Sequence, residues 1–325
     1  MAICALLFPG QGSQFVGMGK ELAAAFPIAK EVFEVVDETL KQPLSRLMME
    51  GPEDELTLTR NAQPALMAHS MAVIQVLEKE TNLKISDLAS VAAGHSLGEY
   101  SALAASGVFD LPTTTSLLRI RGDSMQNALP LGTGGMAALL NTNLDQAKEI
   151  CEAASLDNSI VTVANDNGAG QVVISGHMDA IDRALVIAPE KGIRRAVKLM
   201  VSAPFHSPLM MPAAKKMEEA LKAIKPLTFT IPVIANVTAR PYTDENQVSE
   251  SLVKQVTAPV RWAETMQFMF DNEIEYFFEI GAGKVISNLL KRTAKDRQVF
   301  SIGEPADIDS FVKLVSGLKI EKKGV

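Results

Sequence analysis

The sequence predicts an α/β fold: a large α/β-hydrolase-like subdomain with a mainly parallel sheet, carrying a small inserted ferredoxin-like subdomain. Three observations lead there. Strand-like and helix-like segments alternate along most of the chain, the order that builds sheets flanked by helices. Gly94-His95-Ser96-Leu97-Gly98 matches Gly-x-Ser-x-Gly. It lies between an apolar run, Val91-Ala92-Ala93, and a helix-compatible run from Glu99 to Ser106, the strand–turn–helix setting of a nucleophile elbow. Between 133 and 201 the order is β-α-β-β-α-β, the ferredoxin-like pattern. The expected division is 1–132 with 202–325 as the large catalytic subdomain and 133–201 as the small one.

At 325 residues the chain exceeds the size at which one core usually stops growing, so two compact units are expected. A hydrophobic content of 47% supplies a large core. The net charge of −7, from 31 basic and 38 acidic residues, argues against a general nucleic-acid binder. Cys4 and Cys151 are too few and too far apart for a disulfide framework or a zinc site, and they suit a reducing compartment. Met1 to Phe8 is apolar but lacks a basic flank and is interrupted by Pro9-Gly10, so it reads as a first buried strand rather than a signal peptide. No run approaches the roughly 20 apolar residues that span a bilayer. The expectation is a cytoplasmic protein that needs neither membrane nor nucleic acid.

In the large unit the first strand covers Ile3 to Phe8, and helices follow over Met18 to Ala25 and Ile28 to Leu40. Pro64 reads as a helix start, with the helical period over Ala65 to Glu80. Val91 to Ala93 feeds the elbow, and Pro112 opens a helix carrying Arg119 and Arg121 to about Leu129. In the small unit the strands are Met136 to Leu140, Ile160 to Ala164, Gln171 to Ser175 and Arg194 to Leu199. Its helices are Leu144 to Ala154 and Asp179 to Ile187. The large unit resumes with a helix over Met211 to Ile224, strands at Val233 to Ala235 and Tyr276 to Glu279, and a helix over Val285 to Arg292. A strand over Gln298 to Ile302 and a helix over Asp307 to Leu318 complete it, and 319–325 reads as a frayed tail.

The two elbow glycines let the backbone turn sharply, so that the Ser96 oxygen stands at a strand end while the next helix aims its free N–H groups at a developing oxyanion. A serine nucleophile needs a base, and the chain has four histidines. His69 lies in an apolar helical pattern, His177 follows a turn, and the side chain of His95 diverges from that of Ser96. His206 remains, in the proline-flanked loop Ser202-Ala203-Pro204-Phe205-His206-Ser207-Pro208 at the junction of the two units. Phe8-Pro9-Gly10-Gln11-Gly12-Ser13-Gln14 lacks the Lys-Ser/Thr of a phosphate loop. Its other reading is a strand-end loop that brings Gln11 to the elbow. Sequence does not separate Arg119 from Arg121, each of which also reads as a helix-surface charge.

The ordered set Phe8–Gln14, Gly94–Glu99, Arg119–Arg121–Gly122, Pro204–Ser207, Gln255 and Glu279–Lys284 resembles the malonyl-CoA:acyl carrier protein transacylases over about residues 4 to 302. The resemblance implies an acyltransferase that moves malonyl from malonyl-CoA to holo acyl carrier protein in fatty acid synthesis, with Ser96 as nucleophile and His206 as base. It implies that a backbone carbonyl near Gln255 orients the histidine, so no triad acid is required. It gives the oxyanion hole to the backbone N–H groups of Gln11 and Leu97, and the malonyl carboxylate to Arg121. Phe205 is implicated in malonyl over methylmalonyl preference, and Asn165 and Gln255 in lining the pocket. Neither metal nor cofactor is implied, and Glu99 reads as a complement to the helix N-terminus. A serine hydrolase and a non-catalytic carrier-binding module are the rival classes. Arg121 argues against the first, and the Ser96–His206 pair against the second.

Overall fold

The computed structural model describes residues 3–318, so the tail expected over 319–325 lies outside the described residues. The strands are β1 (Cys4–Phe8), β2 (Val91–Gly94), β3 (Gly134–Leu140), β4 (Val161–Asp166), β5 (Gln171–His177), β6 (Arg195–Lys198), β7 (Val233–Ala235), β8 (Arg240–Pro241), β9 (Val260–Arg261), β10 (Tyr276–Ile280) and β11 (Gln298–Ile302). One sheet runs β11-β10-β1-β2-β7-β8. It is parallel except for the short β7–β8 pair. The expected mainly parallel sheet is present.

Strand β1 lies inside this sheet and shows how sequence period sorts side chains. Cys4, Leu6 and Phe8 enter one core cluster and Ile3, Ala5 and Leu7 the other, and all are buried. A central parallel strand is covered on both faces and therefore reads as a continuous apolar run. Leu66 from the helix Thr59–Thr81, Leu103 from Gly98–Ala105 and Leu117 from Leu111–Gln126 pack on the first face. Trp262 and Met269 of the helix Trp262–Asp271 and Ile286 of Val285–Thr293 pack on the second.

The second sheet runs β6-β3-β5-β4-β9. Its first four strands pair antiparallel in the expected ferredoxin-like order. Ala137, Leu139, Val172 and Ile174 face the helices Leu144–Ala154 and Met178–Glu190. Met136, Ala138 and Val173 alternate to the opposite face and join the main core cluster. The small sheet thus lays one face against the large subdomain.

Several local expectations differ from the structure. The helix expected to begin at Pro64 begins at Thr59 and contains the proline. Proline removes only the bond to the Arg60 carbonyl, on an exposed residue where water replaces it. The helices Gln247–Thr257 and Trp262–Asp271 and the strands β8 and β9 were not anticipated. Strand β9, from the segment after the small unit, pairs parallel with β4 through Asn165↔Val260 and Asp166↔Arg261, adding a fifth strand.

Candidate functional site

The turn after β2 is built by its glycines. A Cβ on Gly94 would fall on the Gly98 carbonyl, and one on Gly98 would meet the Phe8 carbonyl, so the chain closes there only without side chains. Ser96 itself has φ 54°, a left-handed conformation strained for a residue with a side chain. Side chains hold it there. Asn236, just past β7, accepts from the Ser96 N–H through Oδ1 at 2.8 Å and donates from Nδ2 to the Gly94 carbonyl at 2.7 Å. Gln255 Nε2 donates to the Ser96 carbonyl at 2.9 Å.

Ser96 Oγ lies 2.7 Å from His206 Nε2. His206 Nδ1 donates to the Gln255 carbonyl at 2.9 Å and to that of Ala258 at 3.2 Å. Gln255 is in the last turn of its helix, where carbonyls lack intrahelical partners and are free to accept. These contacts fix the neutral tautomer with Nε2 facing the serine, and among the described residues no carboxylate bonds to the ring. Burial, reinforced by the neighbouring Arg121 charge, pushes His206 down to about 3. It is therefore neutral at ordinary pH.

Arg121 is 1% exposed. Its Nη2 donates to Ser96 Oγ at 3.1 Å and to Gln255 Oε1 at 2.8 Å, and its Nη1 to Gln63 Oε1 at 2.8 Å. Its guanidinium also stands 5.5 Å from the Tyr100 ring centre. Arg119 points elsewhere, donating to Asn61 and Gln42. The two arginines diverge by ~200° around a helix that turns ~100° per residue.

A cavity of about 380 Å³ opens between the two sheets above Ser96. Gln11, Leu97, Arg121, Asn165, Phe205 and His206 all line it. Among the described residues no acceptor takes the backbone N–H of Gln11 or of Leu97. The Gln11 side chain turns away to Thr59 Oγ1 at 3.3 Å. A Cβ on Gly10 would lie 2.8 Å from the His95 carbonyl, so the Gln11 loop packs directly on the elbow.

The structure brings Ser96, His206, Arg121, Gln11, Leu97, Asn165 and Phe205 together at this cavity, with Gln255 behind Arg121; of the other histidines only His95 reaches the cavity wall. His95 Nε2 pairs with Asn167 Oδ1 at 2.8 Å, and its ring packs on Trp262. His177 Nδ1 accepts from the Ile160 N–H at 3.0 Å. His69 is buried in the long helix.

Sequence reasoning missed Asn236, Gln63 and the extent of Glu99's role. Glu99 is fully buried and accepts from the Tyr242 hydroxyl, from the Asn236 N–H at 3.0 Å and from Gln255 Nε2 at 2.7 Å. Its place on the first turn of a helix suggested only a dipole partner. The signal for more lies in β7, whose pairing with β2 brings Asn236 under the elbow.

Among the described residues no group of three or more His, Cys, Asp or Glu could hold a metal ion. No described helix is long and apolar enough to cross a membrane.

The model of the acyl transferase domain family matches residues 5–315. The malonyl CoA-acyl carrier protein transacylase of Bacillus subtilis (strain 168) is 42% identical over 313 residues, 96% of this chain and 97% of that one. The solved acyl-carrier-protein-S-malonyltransferase of Bartonella henselae superposes with a TM-score of 0.94 at 47% identity, covering 97% of this chain and 100% of the other. A malonyl-transacylase solved in complex with a type II PKS acyl-carrier protein superposes with a TM-score of 0.92 at 36% identity, covering 96% and 100%.

Proposed function

Because the chain belongs to the acyl transferase domain family, among the malonyl CoA-acyl carrier protein transacylases, we propose that it carries malonyl from malonyl-CoA to the phosphopantetheine thiol of holo acyl carrier protein. The group rides on Ser96 as an ester, which makes the kinetics ping-pong. The product supplies extender units for fatty acid synthesis.

One observation carries this reading: the Ser96 oxygen touches both a neutral histidine and a buried guanidinium. His206 Nε2 takes the Ser96 proton as the oxygen attacks the thioester, then returns it to the departing CoA sulfur. In the second half-reaction the same nitrogen takes the carrier thiol's proton as the sulfur attacks the ester, and returns it to the Ser96 oxygen as the ester bond breaks. The carbonyl oxygen, negative in each tetrahedral intermediate, is assigned to the backbone N–H groups of Gln11 and Leu97. Their free state supports that assignment.

Arg121 anchors the malonyl carboxylate. Malonyl places a carboxylate one carbon beyond the reacting carbonyl, and a guanidinium 3.1 Å from the nucleophile suits that short reach. A guanidinium offers a carboxylate two parallel hydrogen bonds, which an acetyl group cannot accept. Phe205, 7% exposed on the cavity wall, crowds the α-carbon, a constraint on one methyl worth about 1–3 kcal/mol. Asn165 lines the pocket, while Gln255 lies behind its wall and acts on the site through Arg121, Ser96 and His206. We divide the chain as 133–201 for the small subdomain and the flanking segments for the large one. The two free cysteines, Cys4 and Cys151, support placing the protein in the reducing cytoplasm.

The test is peptide-mapped mass spectrometry after brief mixing with malonyl-CoA. A malonyl-sized adduct on the Ser96 peptide, absent in Ser96→Ala, is the expected result. An adduct on another residue, or none, contradicts the reading.

A further inference from the structure

The charges buried beside Ser96 do not touch each other. Arg121 donates to Gln63 Oε1, Ser96 Oγ and Gln255 Oε1, all neutral. The donors recorded for Glu99 are the Tyr242 hydroxyl, the Asn236 N–H and Gln255 Nε2, neutral as well. Glu99 is fully buried, and Arg121 shows only its edge on the cavity wall. Among the described residues the Gln255 amide is the group bonded to both, taking Arg121 on its oxygen and Glu99 on its nitrogen.

We propose that Glu99 is the resident counter-charge of Arg121, acting through the Gln255 amide as a positioning residue. It balances the guanidinium in the empty enzyme without occupying the edge that a substrate carboxylate needs. Direct contact would neutralise Arg121 more strongly but would close the anchor. A buried cation with no balancing charge would lose its proton or open the fold. One amide of separation avoids both. The same amide polarises toward its two partners, oxygen to cation and nitrogen to anion, and its backbone carbonyl orients His206. Charge at the anchor and alignment of the base therefore meet in one residue. Burial pulls Arg121 down and pushes Glu99 up, each toward neutrality, and the attraction between them opposes both shifts.

This inference rests on the malonyl reading above, and its test separates the two. In Glu99→Gln the new amide can accept from Asn236 and Gln255 and donate to the Tyr242 oxygen, so the hydrogen bonds survive and the charge does not. With its counter-charge gone, Arg121 binds an incoming carboxylate more tightly. The KM for malonyl-CoA should fall about tenfold, the scale of one unit charge acting across a polar interior. The KM for acetyl-CoA should not fall with it. If Glu99 only packs, Glu99→Gln raises both KM values or lowers kcat for both donors alike, and the proposal fails. Failure of wild type to load malonyl at all would instead sink the malonyl reading.

Should Glu99→Gln not fold, wild type still carries the test. A malonyl carboxylate on Arg121 displaces Glu99 from its charge-balancing role. Among the titratable groups facing Glu99, Tyr242, Tyr100 and Arg121, burial pushes both phenols up, so they stay neutral. Malonyl loading, followed by the pH of a weakly buffered solution, should then take up more protons than acetyl loading. Equal uptake for the two acyl groups overturns the proposal.

Discussion

His206 Nδ1 lies 2.9 Å from the carbonyl oxygen of Gln255, and that helix-end carbonyl occupies the place a carboxylate holds in a Ser-His-Asp triad. A dipole orients the ring as a carboxylate would, but it stabilises an imidazolium less. Burial and the Arg121 charge hold His206 at about 3, against the lift that the Gln255 and Ala258 carbonyls give. The rate of Ser96 malonylation should therefore stay flat through pH 6–7, where an ordinary histidine titrates, and fall only toward pH 3–4 as the base takes a proton. A pH profile of kcat/KM from single-turnover loading checks this. An acid limb near 6.5 contradicts it.

Stability follows from the same burial. His206 at about 3 and His69 at about 4 both lie below the unfolded value near 6.5. Between those limits the unfolded chain binds more protons, so their stabilisation is complete above pH 6.5 and is lost as pH falls toward 4. For His69 the loss is of order 3 kcal/mol. Thermal melts should show Tm falling between pH 6.5 and 4, and His69→Phe should flatten that fall. A Tm independent of pH in this range argues against neutral buried imidazoles.

Arg121→Ala should slow malonyl loading by about 100-fold or more, in keeping with the 2–5 kcal/mol lost when one partner of a buried charged contact is removed. Acetyl loading should change far less. Arg121→Lys keeps the charge but not the fork and should recover only part of the rate. Paired loading assays with the two donors give the ratio. Equal losses for both donors would mean that Arg121 supports the fold rather than the carboxylate.

Leu97 has φ −56°, which a proline ring matches, so Leu97→Pro removes the N–H, while its ring also presses on the left-handed Ser96 before it. Loss of one oxyanion donor is worth about 2.7–4 kcal/mol of barrier. Leu97→Ala keeps the N–H and should keep kcat, but Leu97 is 1% exposed and its truncation should lower Tm. Stopped-flow loading beside thermal melts separates the two effects. Comparable kcat in the two variants would remove Leu97 from the hole.

Gly94→Ala and Gly98→Ala should fail to give folded protein, since each Cβ meets backbone that has no room to yield. Circular dichroism of the purified variants checks this. A folded, active Gly98→Ala would mean that the elbow is looser than described.

What the sequence carried and what it hid follow from range. Leu144 to Ala154 was legible to the residue, because Asn143 and Gln146 close its N-terminus with a local capping box. The elbow was legible because its glycines, nucleophile and strand lie within a few residues. His206 emerged because three other histidines could be set aside. Arg121 could not be told from Arg119, since only packing shows which side of that helix is buried. Asn236 and Glu99 were opaque for a related reason. One ends a strand and the other begins a helix, and their partnership exists only once β2 and β7 lie side by side. The helix through Pro64 was misjudged because a local breaker signal gave way to tertiary packing along the rest of its length.

The most direct test of the central claim is discharge of the isolated malonyl-Ser96 enzyme, followed by intact-protein mass spectrometry with and without holo acyl carrier protein. Rapid loss of the adduct only when the carrier is present, with malonyl appearing on the carrier thiol, is the predicted result. Loss to water at the same rate in both samples would make the protein a hydrolase and contradict the account.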